Sequence, residues 1–509
     1  MRESRRLEPL QDQDTSRARR AGRKALVLGF LLSQAAALPI GAAEASSSET
    51  RDPRDRSGER GPQLNSGGVR MPTPAFRTEI PDHPLSLILG GPTRDSIVLS
   101  VLLHTGDREG QVAFGRVSDT PLRTTPWRPI VKGEPALIPI GPLEPDTAYR
   151  YEFRSRVPGS GTLESASGGT FHTARPAGQP FTFTVQADPH LDFGTDPGVY
   201  LRSLGHAGAS KADFHVDLGD TFMTDKYLEP RQAMPHYLAQ RYYFGQVGHS
   251  LPVFLVLGNH DGETPGRGGD TSMAEWSNGM RKRYFPNPEP DAFYSGNGVR
   301  HPRAGLLQDY YAWEWGDAQF IALDPFWFSP KPRGGGRDGN NWWRTLGETQ
   351  YRWLQKTLGN RKGRFTFVFL HHLVGGGTPE GRGGVEAYRF FEWGGHDLDG
   401  RDTFAEHRPG WPAPIHDLLA RRGGVVVFHG HDHLYVHGER DGVVYQEVPQ
   451  PGHPRPSTRS AEEYGYRSGT ILPGSGILRV RVSPQRATVE YVKADPSGTV
   501  ADAYTVTPR

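Results

Sequence analysis

The 509-residue chain carries 59 Lys and Arg against 57 Asp and Glu, a formal net charge of +2, with 20 His and no Cys. The missing cysteines exclude disulfides, thiolate ligands and a Cys nucleophile, so any metal site must be built from His, carboxylate and amide groups. The positive excess is local: residues 1–45 hold eight Lys/Arg and five acids, leaving 51 basic against 52 acidic residues in the remainder. A broad basic surface for nucleic acid is therefore not expected.

Residues 1–45 read as a secretory signal peptide: a basic stretch from Arg17 to Lys24, an apolar run from Ala25 to about Ile40, then the small-residue segment Gly41–Ala45. The apolar run is short for a membrane span of about 20 residues. The expected location is secreted or periplasmic, with no stable membrane anchor after cleavage. Residues 46–71 are polar, charged and rich in Gly and Pro, the composition of a disordered linker.

From 72 to 176 the segments are short, β-rich and separated by turns. Ser96–Leu103 and Gln111–Val117 are two such runs, and alternation in Leu143–Phe153 sets Tyr149, Tyr151 and Phe153 on one face. About 100 residues of this kind predict an all-β sandwich. The spacing Leu143-x-Pro145-x-Thr147-x-Tyr149 resembles the tyrosine corner of fibronectin type III domains.

Residues 177–509 follow a different rule, with apolar runs that each end in a polar cluster. Phe181–Ala187 leads into Asp188-Pro189-His190, Phe214–Leu218 into Gly219-Asp220, and Pro252–Leu257 into Gly258-Asn259-His260-Asp261. Phe365–Leu370 leads into His371-His372, and Val425–Phe428, through His429, into Gly430-His431-Asp432-His433. Helical patterns lie between them, such as Glu348–Leu358 with Tyr351, Leu354 and Leu358 on one face. Strands alternating with helices predict α/β layering, with ligands gathered outside the carboxyl ends of the strands. Ile477–Val482 and Ala487–Val492 alternate cleanly and predict a closing hairpin of the same domain.

Any one cluster has an ordinary reading as a turn or helix cap. All five at strand ends, in this order, resemble the calcineurin-like metallophosphoesterase superfamily. With the β domain in front, the layout is similar to purple acid phosphatases and their bacterial relatives. The resemblance implies a four-layer α/β/β/α sandwich preceded by the fibronectin-like β domain, and two transition-metal ions (Fe, Mn or Zn) a few ångströms apart. By the resemblance Asp188, His190 and His433 hold the first ion, Asn259, His371 and His431 the second, and Asp220 bridges them.

His371 is preferred to His372 because it directly follows the strand; His372 is then a neighbour or a substrate contact. The implied chemistry is direct attack of a bridging hydroxide on a small phosphate ester, with a monoester expected before a diester. In the implied scheme His260 would act as general acid, with Asp261 orienting its ring. A non-catalytic surface protein that kept the fold is the rival from another class.

One departure is Met223, which stands where purple acid phosphatases carry a Tyr ligand, so an iron–tyrosinate centre is in question. Gly-rich insertions after the motifs carry Arg267, Arg337 and Arg382, each either a phosphate contact or a solvated loop charge. The aromatic groups Phe326–Phe328, Trp342-Trp343 and Phe390–Trp393 either line a pocket or pack.

Overall fold

The apolar runs assemble into four β-sheets in the computed structural model, which describes residues 76–508 apart from 267, 268, 331–338 and 361. The leader, the linker, Arg267 and Arg337 lie outside the described residues.

Residues 85–172 are all β. A three-stranded sheet (Leu85–Gly90, Ile97–Leu103, Ala136–Ile140) faces a five-stranded one in which Arg108–Arg116 pairs with Ala148–Arg156, and that with Ser165–His172. Leu89, Leu99, Val112, Ile138, Tyr149, Tyr151 and Phe153 are buried between them. Tyr149 stacks on Phe171, and its hydroxyl accepts the Glu144 N–H at 2.8 Å, closing the corner expected from its spacing.

Two further sheets form the centre of the α/β part. The first runs Val253–Leu255, Phe214–Asp217, Phe181–Gln186, Gly476–Val482, Ala487–Lys493, Val500–Val506. Its first three strands are parallel, and Gly476–Val482 lies antiparallel against Phe181–Gln186. The expected hairpin thus completes the middle of the sheet. The second sheet has eight strands, with Ala318–Ala322, Phe365–Phe369, Val425–His429 and Val443–Glu447 parallel at its centre. Phe183, Phe214, Phe254, Trp313, Phe320, Phe367 and Phe428 fill the space between the sheets.

Each outer face is covered by helices. Pro197–Ala209, capped by Asp196, whose carboxylate accepts the Val199 N–H, and Met234–Gly248 cover the first sheet through Tyr200, Leu204, Tyr243 and Val247. Gly347–Gly359 covers the second through Tyr351, Leu354 and Leu358, the face expected from their period. The result is the α/β/β/α layering. Buried Arg241 ties the β domain to it, donating to Ser86 Oγ at 3.1 Å, to the Ser100 carbonyl at 2.7 Å and to the Tyr284 carbonyl. Among the described residues no helix is long and apolar enough to cross a membrane.

Beneath the site, the buried Asp217 carboxylate accepts from Thr221 Oγ1 at 2.5 Å and Gln186 Nε2 at 2.8 Å. Burial pushes this carboxyl up to about 7. Unfolded, it titrates near 4, so between about pH 4 and 7 the folded chain keeps a proton that the unfolded chain has lost. Its stabilisation is complete below that window, declines as pH rises through it, and is lost above. Asp217→Asn should flatten this decline and raise stability at pH 8 by on the order of 2–4 kcal/mol. Denaturant unfolding at several pH values checks this; an unchanged slope would exclude Asp217 as its source.

Candidate metal centre

Both sheets deliver their clusters to one place. Asp188, Asp220 and Asn259 come from the ends of three strands in the first sheet; His371, His431 and His433 come from two in the second. The loops are tied to each other: the Asp188 N–H donates to the Gly219 carbonyl at 3.0 Å and the Gly430 N–H to the His371 carbonyl at 2.8 Å. The His431 N–H donates to Asp188 Oδ2 at 2.9 Å.

Two groups of three side chains can each converge on a cation: Asp188, His190 and His433, and Asp220, His371 and His431. Asp220 Oδ2 lies 3.3 Å from His371 Nε2 and 3.5 Å from His190 Nε2, which places it between the groups. Asp188 Oδ1 is 3.4 Å from His190 Nε2 and 3.5 Å from His433 Nε2.

These side chains fit metal ions. Asp188 Oδ1, His190 Nε2 and Asn259 Oδ1 are buried and have no hydrogen-bond partner among the described residues, an arrangement too costly for polar atoms unless something else satisfies them. His371 Nδ1 donates to the Leu218 carbonyl at 2.9 Å, which leaves its Nε2 facing the carboxylates. Burial alone would lower His371, but Asp220 and Asp188 outweigh it and raise the imidazole to about 9. Burial would likewise raise the two carboxyls, yet the surrounding imidazoles, His371 first, hold both below the usual range. The cluster attracts positive charge, and bound metal can supply it in place of protons.

The backbone is strained where the ligands sit. Asp188, Asp220, His431 and His433 adopt φ of 59°, 55°, 81° and 58°, a region unfavourable for residues with a Cβ and often found at functional sites. Glycines make the crossing possible. A Cβ on Gly258 would lie 2.0 Å from Asp220 N, and one on Gly219 would lie 2.2 Å from Gly258 N. Gly258→Ala should therefore separate the Asp220 and Asn259 loops, with loss of bound metal and activity. Metal analysis and circular dichroism would check it, and a folded variant that kept full metal would refute it.

The structure corrects the assignment of Asp261. Its carboxylate accepts the N–H groups of Asp220, Thr221, Phe222 and Gly258, at 2.7–3.1 Å. Asp261 therefore holds the turn that presents Asp220 and does not orient the ring of His260. Asp225 takes that place, with His260 Nδ1 3.0 Å from its Oδ2. The free face of the ring, Nε2, is buried, lacks a hydrogen-bond partner among the described residues and points toward Asp220 Oδ2 at 4.0 Å.

Arg382 matches neither of its expectations. It is buried, donating to Asp432 Oδ1 at 2.7 Å and to the His431 carbonyl at 3.2 Å. Asp432 also accepts from the Gly383 N–H and Tyr466 Oη, while Glu447 accepts the Asp432 N–H and lies 2.6 Å from buried His429 Nδ1. This network supports the His431–His433 turn from behind. Phe391 and Trp393 are packed in the core, whereas Phe326 sits 5.1 Å from the His372 ring. Tyr227 turns to His236 at 3.3 Å, and Met223 is buried at φ 52°.

Two carboxylates and four imidazoles gathered at the strand ends of two packed sheets, with Asn259 on an adjoining loop, make a candidate metal site of the kind a metal-dependent phosphoesterase needs. The profile of the calcineurin-like phosphoesterase family matches residues 181–435, and the chain belongs to that family, as a phosphoric ester hydrolase. Among solved structures, that of PhoD is similar over 86% of this chain and 89% of its own, with a TM-score of 0.55 at 14% identity. GAP50, the anchor in the inner membrane complex of Plasmodium, is 14% identical over 65% of this chain and 89% of its own, with a TM-score of 0.35. No curated protein matches the sequence.

Proposed function

We propose that the protein is a secreted phosphomonoesterase with a dinuclear transition-metal centre, behind a fibronectin-like accessory domain. The observation that carries this reading is the convergence of the two ligand groups on Asp220. Asp188, His190 and His433 would hold one ion and Asn259, His371 and His431 the other, with Asp220 within reach of both groups. Fe, Mn or Zn suits such mixed nitrogen and oxygen donors. When bound, the ions supply Lewis acidity and an activated water nucleophile at neutral pH.

The protein's own proton chemistry falls to His260. Asp225 on Nδ1 orients the ring and leaves Nε2 facing the site, from which a proton can pass to the departing ester oxygen. Buried surroundings strengthen every charge interaction in this step. The test is a metal-supplemented assay of an aryl phosphate monoester against the corresponding diester. A higher kcat/KM for the monoester is expected; faster diester turnover would make the protein a phosphodiesterase on the same ligands.

A further inference from the structure

Beside His371 lies a cation that the motif pattern does not contain. Arg344 Nη1 donates to His372 Nε2 at 3.0 Å, and His372 Nδ1 donates to the Leu373 carbonyl at 2.9 Å. Because the guanidinium only donates, His372 must be the neutral tautomer with its proton on Nδ1 and its lone pair committed to Arg344. The other arm, Nη2, donates to the Glu380 carbonyl at 2.7 Å, and the guanidinium lies 4.6 Å over the Trp343 ring. Gly381, at φ 91°, packs so closely that a Cβ there would meet Arg344 Cζ at 3.1 Å.

The half-buried guanidinium is thus fixed in place one imidazole away from the candidate ligands. The His372 ring is 5.2 Å from His431 and 6.2 Å from His371. With its acceptor occupied by Arg344, His372 is not itself a substrate contact.

We infer that Arg344, positioned by His372, recognises the phosphoryl group and favours a monoester dianion over a diester. The inference deepens the phosphomonoesterase reading and rests on it for the site. A monoester presents three non-bridging oxygens and up to two negative charges near neutral pH; a diester presents two oxygens and one charge. A planar guanidinium gains more from the first, through charge and through paired N–H···O bonds.

The experiment uses the metal-loaded enzyme and three readouts: kcat/KM on an aryl monoester and its diester, affinity for inorganic phosphate, and metal content. Arg344→Ala should lower monoester kcat/KM about 100-fold and diester kcat/KM less than about fivefold. It should weaken phosphate binding by about 30-fold with metal content unchanged. Arg344→Lys should recover only part of the loss, because an ammonium keeps the charge without the fork. His372→Ala should reproduce the defect in milder form, and His372→Gln, which restores an acceptor, should relieve it. Equal losses on both esters, or loss of metal from Arg344→Ala, would make Arg344 a structural support and overturn the inference. Absence of monoester turnover in the unmodified enzyme would instead remove the phosphomonoesterase reading, and the phosphate affinities would still decide the role of Arg344.

Discussion

Asp220→Asn is expected to reduce turnover by at least about 1,000-fold on every leaving group. The reason is position. Among the described residues Asp220 alone stands within 3.5 Å of an imidazole from each candidate ligand group, and its Oδ1 accepts the His260 backbone N–H at 2.8 Å. An amide keeps the shape and that hydrogen bond but removes the charge on which both groups converge. Metal content should fall with activity, since deprotonated ligands set the affinity of such a site. Elemental analysis alongside steady-state kinetics separates the effects; a variant with full metal and near-normal turnover would deny Asp220 the bridging place.

The second large effect concerns His260. His260→Ala should cost about 10²–10⁴-fold with a poor leaving group and far less with a good one, because a weakly basic leaving oxygen needs little protonation. Asp225→Asn should move the same way by about 10–100-fold, through loss of the partner on Nδ1. Asp261→Asn should differ in kind: it disturbs four N–H acceptances around the Asp220 turn, so metal retention should suffer and all leaving groups should be affected alike. A series of aryl phosphates graded by phenol pKa reads out the contrast. If Asp261→Asn, and not Asp225→Asn, steepened the dependence on leaving group, the assignment of the two carboxylates would have to be exchanged.

The layered fold and the ligand cluster were legible because both depend on local patterns. Strand ends such as Gln186, Asp217 and Phe369 are marked by apolar runs, and the polar residues that follow are delivered to the site whatever the loops do. Tyr351, Leu354 and Leu358 announced a covering helix for the same reason. The partners of those residues were less accessible. Asp225 reaches His260 across 35 positions and Arg344 reaches His372 across 28, through irregular segments without periodicity. Adjacency in sequence does not make Asp261 a partner of the His260 ring. The carboxylate instead reaches the amides of the 220–222 turn. Arg382 sat in a Gly-rich stretch that looks solvated, and only the fold shows Asp432 waiting for it.

The left-handed backbone at Asp188, Asp220, His431 and His433 sets this protein's evolutionary exposure. At such angles Gly, and to a lesser degree Asn, is more comfortable than the Asp and His present, so each of these candidate ligands is retained against the preference of its own backbone. Selection for thermal stability alone should enrich Gly and Asn at these four positions, yielding hardier chains that have lost their metal. A library screened for stability should therefore also be screened for metal, because at these positions the two traits favour different residues.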